Sequence, residues 1–290
     1  MISSINGRTR VIGIFGHPVE HSFSPAMHNA AFSHLGLDYV YVPFPVNPRN
    51  LAGAVEGIRS LDLAGVNVTI PHKSAVLELL DEVSPEAGLI GAVNTIFNDN
   101  GILKGYNTDA AGFVTSLERD RGVTPHGKRV LILGAGGAAR AVSVQLAMAG
   151  AELITFSTPF PEETAVLKKV ITGSTNTAVG EVGWDRDELA GCLNETDILV
   201  NATPVGMHPA TGEMPPVPLD SLPGDALVCD LIYNPGETML LKKAKERDLA
   251  VLNGLGMLLY QGALAFRLWT GVEAPLGVMR QTLEKQLYSS

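Results

Sequence analysis

The sequence predicts an α/β protein of two domains, the second of them doubly wound. Short β-branched apolar runs alternate with helical stretches along most of the chain, which is typical of a largely parallel sheet covered by helices. A glycine-rich turn joins an apolar strand to a helix in the second half. The chain has 290 residues, 46% of them hydrophobic and 18% charged, which is too long for one ordinary core and enough for two.

The first half of the chain carries alternating strand and helix signals. The first strand, RVIGIF, ends at Gly16, and the helix after it is predicted to begin with Ser24 as N-cap and Pro25 in its first turn. The segment NDNG at 98–101 predicts a hairpin turn. The predicted strands are 10–15, 39–45, 65–70, 92–97 and 102–105, and the predicted helices are 25–35, 51–61 and 72–80.

The second half begins near Lys128 and repeats the alternation. We expect the domain boundary between 109 and 123, where a long helix carries the chain across, with helices at the C-terminus returning to the first domain. The predicted domains are therefore 1–112 together with about 257–290, and 113–256. The predicted strands are 129–133, 153–156, 178–182, 198–201 and 227–230, with a loop over 204–223 and helices over 256–287.

Charge and cysteine content exclude several classes of partner. The net charge is -9 and no basic run interrupts it, so the positive surface that nucleic-acid binding requires is missing. Cys192 and Cys229 lack metal-ligand spacing, and we expect two buried thiols in a reducing cytoplasm and no metal site. The apolar run before His17 is too short for a signal peptide or a membrane span. We expect a soluble, cytoplasmic protein.

The run LILGAGGAAR at 131–140 predicts a dinucleotide-binding loop of the Rossmann type. It fits G-x-G-x-x-G/A as Gly134, Gly136 and Ala139, with a strand before it and a helix after it. The first glycine permits the tight turn, the second lets the backbone approach a pyrophosphate, and the alanine keeps helix and strand close. The amides and dipole of the helix then hold the phosphates. A glycine turn of purely structural use is the alternative.

Cofactor choice is read at the end of the next strand, where an acidic residue suits the ribose of NAD and a basic one suits the phosphate of NADP. This chain has Ser157-Thr158-Pro159 there, so neither rule applies. Hydroxyls and backbone amides remain able to bind a phosphate, but without an opposing charge.

Polar residues form candidate ligand sites in the first half. Ser22 and Ser24 flank a helix start, and capping explains only Ser24. Asn67 and Thr69 alternate on one face at the end of a strand, where α/β sheets place ligands. Two further polar segments are GAVNT at 91–95 and GYNTD at 105–109.

Lys73 and Asp109 are the candidate acid–base pair of this half. Oxidising an alcohol removes the hydroxyl proton as the hydride leaves, and reduction returns that proton. A lysine can carry this proton, and an aspartate beside it would stabilise charge and geometry. The structural alternatives are a solvated surface lysine and an N-cap carboxylate.

With these segments, the sequence resembles the shikimate dehydrogenase family along nearly the whole chain. The matching motifs are HSFSPAMHNAAF, GVNVTIPHK, GAVNTI, GYNTDAAGF, LILGAGGAARAV, NATPVGM, DLIYNP and NGLGMLLYQGALAF. The resemblance implies an N-terminal substrate domain and a Rossmann-type cofactor domain with a cleft between them. It also implies reversible reduction of 3-dehydroshikimate to shikimate, a step towards aromatic amino acids.

The resemblance implies the following roles. Lys73 and Asp109 take the positions of the catalytic pair. Substrate-binding positions are Ser22, Ser24, Asn67, Thr69, Asn94, Tyr233 and Gln261. Cofactor-binding positions are Gly134, Ala135, Gly136, Gly137, Ala138, Ser157, Thr158, Thr203, Met207, Leu231 and Gly254. The expected partner is a small-molecule substrate, with neither nucleic acid nor membrane, and the expected state is a monomer or homodimer.

One stretch departs from the family. The usual Asn-Arg-Thr after the second strand of the cofactor domain is Ser157-Thr158-Pro159 here, which removes the cation for the 2′-phosphate of NADP. We expect NADP because no acidic residue replaces the arginine, with mixed use of NAD as an alternative. The competing functions are a quinate/shikimate dehydrogenase that uses NAD and a non-catalytic paralogue that binds ligand. Retention of both Lys73 and Asp109 argues against the paralogue.

Overall fold

The computed structural model of the protein describes residues 5–288 and divides into two compact units. Unit 1 comprises the chain up to Gly112 together with the segment from Leu259, and unit 2 is Phe113–Leu258. The unit boundaries fall inside two helices, Thr108–Arg121 and Leu255–Thr270. No helix among residues 5–288 combines the length and the hydrophobicity that a membrane span requires. Within the same residues, no three histidine, cysteine or acidic side chains are grouped as metal ligands.

Unit 1 is built on a mixed six-stranded sheet. Its order is β2-β1-β3-β5-β6-β4, with β1 parallel to both neighbours and β5 antiparallel to both of its own. Its strands are β1 (Arg10–Gly16), β2 (Tyr39–Pro45), β3 (Gly65–Val68), β4 (Glu82–Val83), β5 (Thr95–Asp99) and β6 (Ile102–Tyr106). Its helices are α1 (Ser24–Leu35), α2 (Leu51–Ser60), α3 (Pro85–Ile90), the start of α4 (Thr108–Arg121), most of α9 (Leu255–Thr270) and α10 (Leu276–Tyr288).

Local sequence explains the sharp turns of this unit. The β5–β6 hairpin is closed by the pair Asp99 and Ile102, so its loop has two residues. Both loop residues have positive φ, 53° at Asn100 and 94° at Gly101, the combination that tight hairpin turns require. Helix α1 ends at Gly36, whose φ of 64° places it in the left-handed region.

Two expectations for this unit are wrong. Ser24 does not cap α1: Phe23 occupies the N-cap without a side-chain cap, and the Ser24 amide donates to Ser22 Oγ at 3.3 Å. The helix expected over 72–80 is only a 3₁₀ turn at Ala75–Leu79, because the Lys73 carbonyl accepts from the amide of Val93 (2.8 Å) rather than from a following helical turn. Strand β4 and helix α3 were not predicted.

Unit 2 is a parallel sheet of six strands. Its order, β12-β11-β10-β7-β8-β9, runs outward in both directions from β7, as in doubly wound nucleotide-binding folds. Its strands are β7 (Arg129–Leu133), β8 (Leu153–Ser157), β9 (Ala178–Val182), β10 (Ile198–Asn201), β11 (Leu227–Asp230) and β12 (Ala250–Leu252), the last not predicted. Its helices are α5 (Gly137–Met148), α6 (Glu162–Ser174), α7 (Arg186–Leu193) and α8 (Met239–Lys245), with most of α4.

The order of strands determines where unit 2 can bind a ligand. The connection after β7 and the connection after β10 run in opposite directions along the sheet, so a crevice forms at the carboxyl ends of these two strands. The core beneath that edge is apolar and closely packed, with leucines of β7, β10, α7 and α8 fully or nearly fully buried. Loops at the carboxyl edge are therefore supported from below by a rigid layer.

Candidate functional site

Lys73 and Asp109 form an ion pair in unit 1. Lys73 Nζ donates to Asp109 Oδ2 at 2.6 Å, and the two side chains retain 34% and 17% exposure. Asp109 lies in the first turn of α4, but Asn107 caps that helix, because its Oδ1 accepts from the amide of Ala110 at 3.2 Å. The N-cap explanation for Asp109 is therefore wrong. The pair combines a proton-bearing ammonium with an orienting carboxylate and stays open to a ligand.

The segment before Lys73 is anchored by His72. The His72 ring is buried and its Nε2 lies 2.7 Å from the carbonyl oxygen of Val46. Together with the bond between the Lys73 carbonyl and the Val93 amide, this fixes the backbone that carries the ammonium. His72, to which the sequence analysis gave no role, positions its neighbour.

A buried group of five side chains, the amide–hydroxyl cluster, lies at the ends of β3 and β5 near this pair. Asn67 Nδ2 donates to Thr95 Oγ1 (3.0 Å) and also to the carbonyl of Asn94 (3.0 Å). Asn94 Nδ2 donates to Thr108 Oγ1 (3.0 Å), and the Thr108 amide donates to Asn94 Oδ1 (2.7 Å). The cluster consists of Tyr41, Asn67, Asn94, Thr95 and Thr108. Since Thr108 precedes Asp109, the cluster reaches the catalytic candidate through the backbone.

Tyr41 extends the cluster to the predicted serine site. Its hydroxyl donates to Asn67 Oδ1 at 2.8 Å and also interacts with Ser24. Burial raises the pKa of Tyr41 well above its ordinary value, and the hydrogen bond with Ser24 partly opposes this shift. Asn67 therefore uses both ends of its amide inside the protein, so it supports the site rather than offering a free group.

The remaining substrate-binding residues predicted in unit 1 lie at the same edge of the sheet as the amide–hydroxyl cluster. Gln261 reaches it from α9, where its Oε1 lies 3.4 Å from Asn94 Nδ2. Thr69 follows β3, is half-buried, and packs its methyl group so close to Gly16 that no side chain would fit there. Ser22 is half-buried and accepts from the amide of Ser24. The structure thus brings these positions together with Asn67 and Asn94.

Three members of the site were not predicted from the sequence: Tyr41, Thr95 and Thr108. Thr95 and Thr108 stood inside quoted motifs but were assigned no role. Tyr41 lies in a strand whose apolar neighbours indicate only core. Its partner Asn67 is 26 residues away, so no local pattern could reveal the contact.

The glycine loop of unit 2 provides an open set of backbone donors. Gly134 adopts a φ of 96° and its amide donates to the Ser157 carbonyl at 2.7 Å. Helix α5 then begins at Gly137 with no side-chain cap, and 136–138 are exposed. A Cβ added at Gly136 or Gly137 would meet no atom within 4 Å. Uncapped first-turn amides beside free space fit a bound pyrophosphate.

The end of β8 offers little to a 2′-phosphate. The Ser157 side chain is fully buried and its hydroxyl donates to the Gly183 carbonyl at 2.9 Å, so this hydroxyl is already used. Thr158 Oγ1 accepts from the amide of Phe160 (3.1 Å). A cavity of about 480 Å³ beside Thr158 is lined by eight residues that include Glu181 and Glu188 but no lysine or arginine.

The other predicted cofactor positions follow β10 and β11. Thr203 donates through both its amide (3.1 Å) and its hydroxyl (2.7 Å) to Asn201 Oδ1. Gly254 lies against the backbone of Leu231, where any side chain would collide. Met207 is 47% exposed in the loop after β10. These positions and the glycine loop share the carboxyl edge of the sheet.

Tyr233 also belongs to unit 2, in the loop after β11. Its side chain is half-buried, and burial raises the pKa of its hydroxyl. It is thus the one predicted substrate position that lies outside the unit 1 group, and its role stays a prediction.

Comparisons with known proteins point to one family. Residues 14–96 match the family model of the shikimate dehydrogenase substrate binding domain, and residues 254–284 match that of the shikimate 5'-dehydrogenase C-terminal domain. A shikimate dehydrogenase (NADP(+)) of Desulforamulus reducens is 53% identical, over 98% of this chain and 97% of that protein.

Two solved structures have the same fold. A shikimate dehydrogenase in complex with NADP+ is 47% identical, with a TM-score of 0.92 over 98% of each chain. A shikimate 5-dehydrogenase from Listeria monocytogenes, in complex with shikimate and NAD, is 39% identical, with a TM-score of 0.92 over 97% of this chain and 98% of that one. On this evidence the chain belongs to the shikimate dehydrogenase family.

Proposed function

We propose that this protein catalyses the reversible, NADP-dependent reduction of 3-dehydroshikimate to shikimate, a step in aromatic amino acid biosynthesis. The observation that carries the proposal is the 2.6 Å pair of Lys73 and Asp109 beside the amide–hydroxyl cluster. The family resemblance makes these two residues the catalytic pair, and the pair provides the proton that alcohol–ketone chemistry requires.

The hydroxyl and amide groups at the ends of β3 and β5 in unit 1 suit this substrate. Shikimate carries one carboxylate and three hydroxyls, so it needs several hydrogen-bond donors and acceptors in a fixed arrangement. We assign its contacts to Ser22, Ser24, Thr69, Asn94 and Gln261, with Asn67 as support and Tyr233 as a further contact. Because Asn94 and Asn67 are held by buried hydrogen bonds, their orientation does not have to be established when the substrate binds.

The reaction divides between the cofactor and the protein. When bound, NADPH supplies a hydride to the ring carbonyl carbon. Lys73 gives a proton to the carbonyl oxygen as that carbon becomes tetrahedral, so ketone, hydride and proton together form the alcohol. Asp109 orients the ammonium before transfer. In the oxidative direction Lys73 takes the hydroxyl proton.

Unit 2 holds the cofactor in this proposal. The backbone of 134–138 binds the pyrophosphate at the start of α5, and Thr158 lies at the adenosine end. Thr203, Met207, Leu231 and Gly254 line the remainder. Since the cavity beside Thr158 carries glutamates rather than a cation, NAD is a second candidate cofactor.

The proposal extends to the organisation of the protein. Unit 1 is the substrate-binding domain and unit 2 the NADP-binding domain. We expect a cytoplasmic enzyme that is a monomer or a homodimer in solution, which sedimentation measurements distinguish.

The decisive experiment measures turnover with four pairs of reactants. Shikimate and quinate are each oxidised with NADP and with NAD, and the absorbance of the reduced nicotinamide is followed. We expect the highest kcat/KM for shikimate with NADP. Preference for quinate would make the protein a quinate/shikimate dehydrogenase. Binding of shikimate without turnover of either substrate would make it a non-catalytic paralogue.

The assignment of Lys73 is tested by Lys73→Ala. We expect kcat to fall by about 10²–10⁴-fold, the usual range for a lost general acid or base, with a smaller change in KM. Lys104→Ala is the matched control, because Lys104 pairs with Asp99 at the surface of the same unit (2.9 Å) and should leave turnover unchanged. Near-normal turnover of Lys73→Ala would remove this residue from the catalytic role.

A further inference from the structure

Asp230, the last residue of β11, is a buried carboxylate that the proposed mechanism does not use. It is 1% exposed and accepts hydrogen bonds from three segments. Its Oδ1 accepts from Asn201 Nδ2 (3.1 Å) and from the amide of Ile232 (3.1 Å), and its Oδ2 accepts from the hydroxyl of Thr238 (2.7 Å). One side chain therefore joins the end of β10, the loop after β11 and the N-terminus of α8.

The bond to Asn201 continues into the loop after β10. Asn201 Oδ1 accepts from both the amide and the hydroxyl of Thr203, and Asn201 Nδ2 also lies 3.3 Å from the Val205 carbonyl. The Thr203 methyl group in turn packs against Gly134, where a Cβ would come within 3.0 Å of it. The carboxylate is thus linked to the glycine loop through two polar side chains.

The same carboxylate supports the backbone on which Gly254 packs. Its bond to the Ile232 amide fixes the peptide that follows Leu231, and the Ile232 carbonyl accepts from the amide of Gly254 at 3.0 Å. Asp230 therefore orders the loops after β10 and β11 at the carboxyl edge, where a doubly wound sheet binds its nucleotide.

We propose that Asp230 is a positioning residue for the cofactor, and that its carboxylate form holds the loops after β10 and β11 in the arrangement that binds the dinucleotide. The inference rests on the proposed function, because it takes unit 2 as the cofactor-binding unit. Protonation would turn one acceptor site of the carboxylate into a donor and remove the negative charge that strengthens all three accepted bonds. Cofactor affinity then depends on the proton of a side chain that touches neither ligand.

The surroundings of Asp230 allow this proton to be exchanged near neutral pH. Burial raises its pKa to about 6, and the hydrogen bonds from Thr238, Ile232 and Asn201 oppose the shift. The adjacent Cys229 thiol is also fully buried, and burial followed by the charge of Asp230 raises its pKa far above the ordinary value.

The elements packed around this carboxylate contribute little charge. Strands β10 and β12 contain no ionisable side chain. Arg121, at the end of α4, acts on the neighbouring thiol. Glu237, which precedes α8, pairs at the surface with Lys245, the last residue of that helix (2.6 Å). Burial raises the pKa of the Tyr233 hydroxyl, so this hydroxyl stays neutral near neutral pH.

The test is the affinity of the whole protein for NAD and NADP between pH 5 and pH 8, measured by isothermal titration calorimetry. NAD is included because it lacks the 2′-phosphate of NADP, a phosphate monoester that itself titrates at about pH 6. In the parent protein we expect affinity for both cofactors to fall about fivefold to tenfold on acidification, the range of a modest coupling. Asp230→Asn should bind both cofactors weakly, and its affinity for NAD should lack the change near pH 6.

Two variants at Thr238 distinguish positioning from a merely structural contribution. Thr238→Val removes the bond that favours the carboxylate, so the pH at which affinity falls should move upward. Thr238→Ser retains the hydroxyl and should keep the parent profile. Because Thr238 caps α8, both variants and Asp230→Asn are first compared by circular dichroism.

Each outcome decides the inference. If the pH profile of NAD affinity is unchanged in Asp230→Asn, or if that variant has the parent's affinity at pH 7.5, the inference is overturned. If Asp230→Asn does not fold, a Thr238→Val profile that coincides with the parent overturns it instead. A parent protein that binds neither cofactor at any pH overturns the proposed function and this inference together.

Discussion

His28 allows a quantitative prediction for the stability of unit 1. The ring is fully buried, and neither of its nitrogens has a hydrogen-bond partner among residues 5–288. It stacks on Tyr41, with ring centroids 4.6 Å apart and planes 11° apart, and contacts Trp269 edge-on at 5.4 Å. Burial lowers the pKa of His28 from 6.5 to about 3. Folding of unit 1 therefore requires the neutral imidazole.

The sign and size of the effect follow from proton linkage. Because the folded pKa is lowered, the stabilisation is fully present above pH 6.5 and is lost as the pH falls towards 3. Over this range the unfolded chain binds a proton that the folded protein does not, which costs about 1.4 kcal/mol per pH unit. Between pH 7.5 and pH 5.5, His28 alone should lower the free energy of unfolding by about 1.4 kcal/mol.

The assay compares the parent with His28→Phe by urea unfolding at the two pH values. The chain has two tryptophans, so a Trp184→Phe background makes fluorescence report Trp269, which lies in unit 1 beside His28. We expect the fall in unfolding free energy between pH 7.5 and pH 5.5 to be about 1.4 kcal/mol smaller in the variant. Any constant packing change from the larger ring cancels in this difference.

A second substitution and a control complete the design. His28→Leu also removes the titrating ring and should show the same reduction if the larger phenylalanine disturbs folding. His34→Gln replaces an exposed histidine of the same helix and should keep the parent's pH dependence. Equal pH dependence in the parent and both His28 variants would refute the assignment of a buried neutral imidazole.

Two further predictions concern the ligand sites. Thr158→Arg should tighten NADP binding by about tenfold or more, because it supplies a charged donor to the 2′-phosphate, and should leave NAD binding unchanged when both are measured by calorimetry; unchanged NADP affinity would place selectivity elsewhere. Tyr41→Phe deprives Asn67 Oδ1 of its buried donor, so we expect a loss of about 1–3 kcal/mol in unfolding free energy and a raised KM for shikimate. A variant as stable and active as the parent would show that the phenol hydroxyl does not organise the cluster.

The sequence alone was sufficient for the features that depend on neighbouring residues. Strand periodicity predicted β1, β2, β7, β9, β10 and β11 to within a residue, and Asn100-Gly101 predicted the hairpin turn. The glycine loop could be read because a tight turn followed by an uncapped helix requires particular residues at fixed spacing. Prediction from local residues failed where a tertiary hydrogen bond competed. At Lys73 the carbonyl accepts from the Val93 amide, and the helix expected over 72–80 does not form.

Only the tertiary structure decided how the polar residues are partnered. Tyr41 bonds Asn67 across 26 residues and Asn94 meets Gln261 across 167, distances along the chain at which no periodic pattern operates. It also decided that Asn107 caps α4, which leaves Asp109 free to bind Lys73. The physical reason is that a strand or helix depends on its own residues, whereas the charge state and orientation of a side chain depend on which distant groups are buried beside it.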